Sequence, residues 1–267
     1  MNIFQAIILG VIQGITEFFP ISSSGHLMIF QALFGMKEPM LAFDIFLHFG
    51  TLVAIAIFFH KDIINLFADR PLSTDAGRPT RSTGGRSAMV YLIIATIPTA
   101  IIGFLFKDAV ENLFGMPKAV GAMLVVTGAW LFFASARSKK VKEPSKLNFL
   151  NSFIIGIAQG IAVVPGISRS GATIGAGLAT GLEREVAFKF SFLLAIPAVA
   201  GACILKAHKI TTVLANGESF IFLAGAVAAA LTGLIAMRIL LGLVKKNKLS
   251  FFGIYCILAG ILVIILL

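Results

Sequence analysis

The sequence predicts an all-α integral membrane protein with an inverted-topology repeat, each half a re-entrant helical hairpin followed by three transmembrane helices. Three observations predict this. The 267 residues are 58% hydrophobic and only 13% charged, a balance that a fully water-facing surface cannot carry. Six apolar stretches are long enough to cross roughly 30 Å of hydrocarbon as helices, whereas two others are broken at their centres by polar residues. The residues around one break recur around the other at a fixed spacing.

The first broken region, 3–36, is interrupted by Glu17, Pro20, Ser22, Ser23, Ser24, Gly25 and His26. Each of its apolar arms is too short to span alone, so the chain is expected to enter, turn at membrane depth and return. Three spans follow, at about 41–60, 88–106 and 118–136. The stretch 69–87, rich in Pro, Gly, Ser and Arg, reads as a solvated connector. A second broken region, 150–181, is interrupted by Pro165, Gly166, Ser168, Arg169, Ser170 and Gly171, and spans at about 186–205, 219–242 and 250–267 complete the chain. The expected organisation is one membrane domain, 1–267, with repeat one at 1–136, a linker at 137–149 and repeat two at 150–267.

Positions 8–15 (Ile-Leu-Gly-Val-Ile-Gln-Gly-Ile) fall on 154–161 (Ile-Ile-Gly-Ile-Ala-Gln-Gly-Ile), and Ile21-Ser-Ser-Ser-Gly25 falls on Ile167-Ser-Arg-Ser-Gly171. Apolar composition alone does not place shared Gly, Gln and Ser at one offset. Three spans per half is an odd number, so the second half enters from the opposite face. Such repeats put their sites near the midplane, where the broken helices meet.

The net charge of +10 does not point to nucleic acid, because the basic residues sit between apolar stretches without interleaved aromatics. Sixteen of the 22 Lys and Arg residues fall on one side of the predicted topology, five on the other, with Arg169 at the second tip. The positive-inside rule makes the richer side cytoplasmic and puts both termini outside. No Lys or Arg precedes the first apolar run, so that run is not expected to be a cleaved signal. Cys203 and Cys256 lie within apolar segments and read as inert thiols.

The tips carry unequal chemistry. The first supplies Gln13, Glu17, Ser22, Ser23, Ser24, Gly25 and His26; the second supplies Ser168, Arg169, Ser170, Gly171 and Thr173, with Val163 where the first has Glu17. Half-helices beginning near Ser23 and Ser170 would present unpaired N–H groups to an anion, and the forked Arg169 guanidinium suits phosphate oxygens. Glu17 and His26, nine residues apart across the turn, are expected to project into one cavity and handle protons. A plain Arg169–Glu17 structural pair and a merely structural His26 are the alternatives. The candidate nucleophile is the hydroxyl of Ser23 or one of its neighbours, with His26 as base, or else water; in a further reading these hydroxyls only bind phosphate. Asp44 and His48, one turn apart at the start of a span, line the same cavity or pair at its rim.

With these residues in view, the chain resembles the undecaprenyl-diphosphate phosphatase family associated with bacitracin resistance. Gln13-Gly-Ile-Thr-Glu17 with Ser22-Ser-Ser-Gly-His26 is similar to its (E/Q)xxxE motif and following Ser-Ser-x-Gly-His, and Pro165-Gly-Ile-Ser-Arg-Ser-Gly-Ala-Thr173 to its PGxSRSxxT motif. The resemblance implies hydrolysis of undecaprenyl diphosphate to the monophosphate and inorganic phosphate in the bacterial cytoplasmic membrane, recycling the carrier lipid for cell-wall synthesis. It implies that Glu17, His26 and Arg169 are essential, with Ser22, Ser23, Ser168, Ser170 and Thr173 supporting or nucleophilic. It also implies a divalent cation, Mg²⁺ before Ca²⁺, with Glu17 as its protein ligand. Gln13 stands where many members have Glu, leaving one carboxylate fewer. The competing reading is a transporter or flippase of polyprenyl phosphate or a small anion, since inverted repeats with broken helices suit alternating access. A non-catalytic scaffold poorly explains an intramembrane Arg, Glu and His set. Gly121, Gly128, Gly175 and Gly177 suit helix packing within one chain or in a homodimer.

Overall fold

A computed structural model describes residues 1–36, 40–71, 84–113, 115–141, 143–205 and 219–267. Among them no strand occurs; Ser145 and Leu182 form an isolated bridge. Helices run α1 Ile3–Phe18, α2 Ser23–Leu33, α3 Leu41–Phe58, α4 His60–Phe67, α5 Gly85–Leu105, α6 Lys107–Leu113, α7 Pro117–Lys140, α8 Phe149–Ile161, α9 Arg169–Ala179, α10 Arg184–Leu205, α11 Ser219–Lys245 and α12 Leu249–Leu266. Five of these are long and apolar enough to cross a membrane. The expected span at 41–60 is instead a bent pair, α3 and α4, meeting at 69°. If that pair is one span, the count reaches six, as the sequence suggests. The chain is a multi-pass membrane protein.

Each of the two broken regions forms a pair of short helices in contact, α1 with α2 and α8 with α9. α1 starts at Asn2 with a reciprocal cap between Asn2 and Gln5, and α8 starts at Asn148 with the same cap between Asn148 and Asn151. These four residues are also 146 apart in pairs, so the spacing seen at the tips extends to the helix starts. Each cap satisfies donors that hydrocarbon would leave bare.

The first helix of each hairpin packs on a long helix of the other half: α1 on α11, α8 on α5. Glycine permits the approach. A methyl at Gly10 would overlap the Gly225 carbonyl oxygen, and one at Gly156 would overlap the Ala95 carbonyl oxygen. Close backbone contact of this kind holds helices together where lipid offers no hydrophobic gradient. α7 and α12 pack along each other, and α3 lies against α10 and α11.

Phe18, Phe59, Phe188 and Phe192 form the buried centre, with ring centroids 4.8 to 6.0 Å apart in four contacting pairs. Outer faces carry exposed Phe104, Leu105, Phe220 and Ile265, as lipid contact requires. At the bend after α3, Lys189 Nζ donates to both oxygens of buried Asp62 at 2.9 Å, tying α4 to α10. Lys37, Arg78, Arg81, Lys142, Lys206 and Lys209, which carry part of the orientation argument, and most of the connector at 69–87 lie outside the described residues.

Candidate active site

The tips meet. Arg169 Nη2 donates to Glu17 Oε1 at 2.5 Å across 152 residues of sequence, and Ser170 Oγ donates to the Phe19 carbonyl at 3.3 Å. Each tip is built by one serine. Ser22 Oγ caps α2 by accepting from Gly25 N (3.4 Å), and Ser168 Oγ caps α9 by accepting from Gly171 N (3.1 Å). Ser22 pairs with Ser24 and Ser168 with Ser170 through their hydroxyls, at 3.3 and 3.2 Å. The second tip is braced by α7: Thr127 Oγ1 donates to Gly166 O and accepts from Ser168 N, and Trp130 Nε1 donates to Gly171 O.

A cavity of about 630 Å³ opens at this junction. Of the residues singled out from the sequence, Glu17, Ser22, Ser23, Ser24, Ser168 and Arg169 line it, as do Asp44 and His48. Glu17 is its polar hub. Its Oε2 accepts from Ser23 Oγ at 2.6 Å and from Gln13 Nε2 at 3.1 Å, and His48 Nε2 lies 3.8 Å away. The Arg169 guanidinium commits Nη2 to Glu17, while Nη1 is buried without a hydrogen-bond partner. A buried unsatisfied donor on a cation is costly, and a purely structural ion pair gives no reason to retain one.

Gln13, Gly25, His26, Ser170, Gly171 and Thr173 stand behind the wall rather than on it. Ser170 and Gly171 join the tips and the α9 cap, and Thr173 Oγ1 bonds the Arg169 carbonyl and Ser191 Oγ at 2.8 and 2.5 Å. The expected convergence of Glu17 and His26 is corrected here. His26 turns away from the cavity, with Nδ1 at 2.8 Å from Ser22 O and Nε2 at 2.7 Å from Tyr255 Oη. Its ring stacks on Tyr255, 5.7 Å between centroids. Spacing across a turn set the distance along the chain but not the rotamer, which a partner on α12 captures.

Other lining residues carry polar groups that the motifs did not mark. Gln31 Nε2 donates to Asp44 Oδ1 at 2.8 Å, and the Asp44 carbonyl accepts from His48 Nδ1 at 2.8 Å, so that imidazole aims Nε2 at Glu17. Thr99 and Gln159 also line the cavity. The repeat held a signal for Gln159, which occupies the position equivalent to Gln13.

Among the described residues no three His, Cys, Asp or Glu side chains gather as a metal site. The junction does offer a hard cation the Glu17 carboxylate on the cavity wall, with Gln13 Oε1, buried and without a hydrogen-bond partner, one turn earlier behind that wall. Such donors fit Mg²⁺ that takes its other ligands from phosphate and water.

Comparison with known proteins gives concordant matches over the full chain. A family model described as bacitracin resistance protein BacA matches residues 6–262. An undecaprenyl-diphosphatase of Methanosphaera stadtmanae is 44% identical over 274 aligned residues, covering 100% of this chain and 98% of its own. Undecaprenyl-diphosphatases of Halothermothrix orenii and Carboxydothermus hydrogenoformans are each 40% identical, again covering 100% of this chain and 98% of theirs.

Proposed function

The chain belongs to the bacitracin resistance protein BacA family, and on that premise we infer that it is an undecaprenyl-diphosphate phosphatase, converting undecaprenyl diphosphate to undecaprenyl phosphate and inorganic phosphate. The observation that carries this reading is the buried, unpartnered Nη1 of Arg169, a residue at the wall of a cavity large enough for a diphosphate head group.

The proposed reaction follows from the residues at the junction. Arg169 Nη1 takes an oxygen of the terminal phosphoryl group, while the start of α9 and the start of α2 add the positive ends of two helix dipoles. An oxygen nucleophile, Ser23 Oγ or water, forms a bond to the terminal phosphorus as the bridging P–O bond breaks. The bridging oxygen leaves on the lipid monophosphate; where Ser23 is the nucleophile, water then attacks the phosphoserine ester, releasing inorganic phosphate and returning the serine hydroxyl. Glu17, already accepting the Ser23 hydroxyl proton at 2.6 Å, is placed to receive the proton of the attacking oxygen. Charge stabilisation on the transferred group is the largest demand of such a step, and Arg169 meets it. His26 serves the first tip from behind, holding the Ser22 carbonyl while Tyr255 holds its other nitrogen.

A divalent cation, Mg²⁺ before Ca²⁺, is part of the proposal. Glu17 would hold it from the cavity wall, and when bound it supplies positive charge against the diphosphate. The apolar lining, including Leu27, Met28, Ala198 and Val199, suits the first isoprene units of the lipid. Location in the bacterial cytoplasmic membrane and a role in recycling the cell-wall carrier lipid are part of the proposal, and the sixteen basic residues on one side of the predicted topology support an orientation with both termini outside. Transport or lipid flipping remains the competing class, and the names of the relatives lend it no support.

The test is phosphate release from undecaprenyl diphosphate by purified protein in detergent. Wild type is expected to turn over with Mg²⁺ and to lose activity with chelator, regaining it on Mg²⁺ addition. Glu17→Gln is expected to lower release about 100-fold, the scale of general acid–base catalysis, while still binding the lipid. A folded wild-type protein that binds the lipid and releases no phosphate under any condition would overturn the reading.

A further inference from the structure

Gln159 has a position that neither the motifs nor the ion pair explains. It is 2% exposed and lines the cavity from α8. Its Nε2 donates to the Leu194 carbonyl and to Thr99 Oγ1, both at 3.4 Å. This fixes the amide. The Leu194 carbonyl can only accept, so the nitrogen must face it; the single hydrogen of the Thr99 hydroxyl is shared between the Ala95 and Gly156 carbonyls, both at 2.9 Å, so towards Gln159 it too can only accept. Gln159 Oε1 is therefore an oriented acceptor, buried and without a partner.

An acceptor in a diphosphate site is electrostatically odd. Phosphate oxygens are acceptors themselves and cannot satisfy it. The equivalent residue of the first half, Gln13, spends its amide nitrogen on Glu17; in the second half Val163 replaces that carboxylate, and the amide is held by neutral groups on α5 and α10 instead. A group that can satisfy this oxygen must bring a hydrogen to it, and the reaction supplies one such reactant. We propose that Gln159 is a positioning residue for water: its Oε1 accepts one hydrogen of the water that attacks phosphorus, directly or at a phosphorylated hydroxyl, and aims a lone pair at the phosphoryl group. The other hydrogen is left for the base. Thr99 and the Leu194 carbonyl hold Gln159 in that orientation.

This rests on the phosphatase reading, and its test separates the two. Gln159→Met, similar in volume and lacking the acceptor, is expected to lower kcat about 10- to 100-fold while KM stays within about twofold, the pattern of an interaction made only in the transition state. With methanol present as a competing nucleophile, the share of methyl phosphate in the product should rise above the wild-type share, because water loses its anchor. Thr99→Val should shift both quantities in the same direction, and Thr99→Ser should retain wild-type values; this pair carries the test if Gln159→Met does not fold. A rise in KM with kcat preserved would mean that Gln159 touches the lipid diphosphate and would overturn the proposal. An unchanged kcat, or a lowered kcat with an unchanged methanol share, would also overturn it, leaving wild-type phosphate release and the phosphatase reading intact.

Discussion

At the first tip, Ser22 caps α2 through Gly25; 146 residues further on, Ser168 caps α9 through Gly171. Between those shared anchors the side chains part company. Glu17, Ser23 and His26 of the first tip face Val163, Arg169 and Ala172 at the equivalent places of the second. The backbones differ too, with Ser22 at φ 69° and Ser168 at φ −75°. The difference teaches that the serine caps are structural and common to both halves, whereas the unconstrained positions beside them have taken opposite charges. Neither charge is easily tolerated alone in a site so little exposed. Joined, they compensate each other, and the spare guanidinium nitrogen is left for an anion.

The comparison breaks most severely if the second tip loses its charge. Arg169→Ala is expected to lower phosphate release about 1,000-fold or more, on the scale seen for an arginine that stabilises a transferring phosphoryl group. The same change leaves Glu17 unpaired, so circular dichroism and thermal unfolding of the variant must accompany the assay.

The shared frame is tested by substitutions at equivalent glycines. Gly10→Ala and Gly156→Ala each push a methyl into a carbonyl oxygen of the facing helix. Each is expected to destabilise by about 1–3 kcal/mol, the usual cost of overpacking, read as a lowered midpoint in detergent unfolding. Comparable losses at the two sites would sharpen the picture of two similar docking contacts; a loss at one alone would break it.

The smallest effect separates the two caps. Ser22→Gly gives up one hydrogen bond but relieves a positive φ that serine adopts reluctantly, whereas Ser168→Gly only gives up the bond. The first variant is expected to be more stable than the second by about 1 kcal/mol relative to wild type. Equal stabilities would show that the strain at Ser22 is offset within the tip.

Most of the architecture was legible because hydrocarbon allows few alternatives. Long apolar runs became helices within a few residues of their expected ends, and polar residues inside 3–36 and 150–181 marked the two breaks. The bend into α4 was not legible: Lys61 and Asp62 look like the exit of a span, and only the distant Lys189 reveals that Asp62 is buried. At the site, Glu17, Ser23 and Arg169 stood out because charge and hydroxyl at membrane depth are expensive. His26 was found, but its direction depends on Tyr255, 229 residues away in sequence. Gln159 was visible only as one letter of a repeat, since an orphaned carbonyl oxygen is a property of packing.

The bond between Glu17 and Arg169 also imposes an order on biosynthesis. A ribosome adding about 5–20 residues per second needs roughly 8–30 s to make the 152 residues that separate them, and α1 waits longer still for Gly225. During that interval the nascent first hairpin has neither its counter-ion nor its docking helix. Until the later half arrives to receive it, the Glu17 carboxylate is held without the guanidinium that offsets its charge.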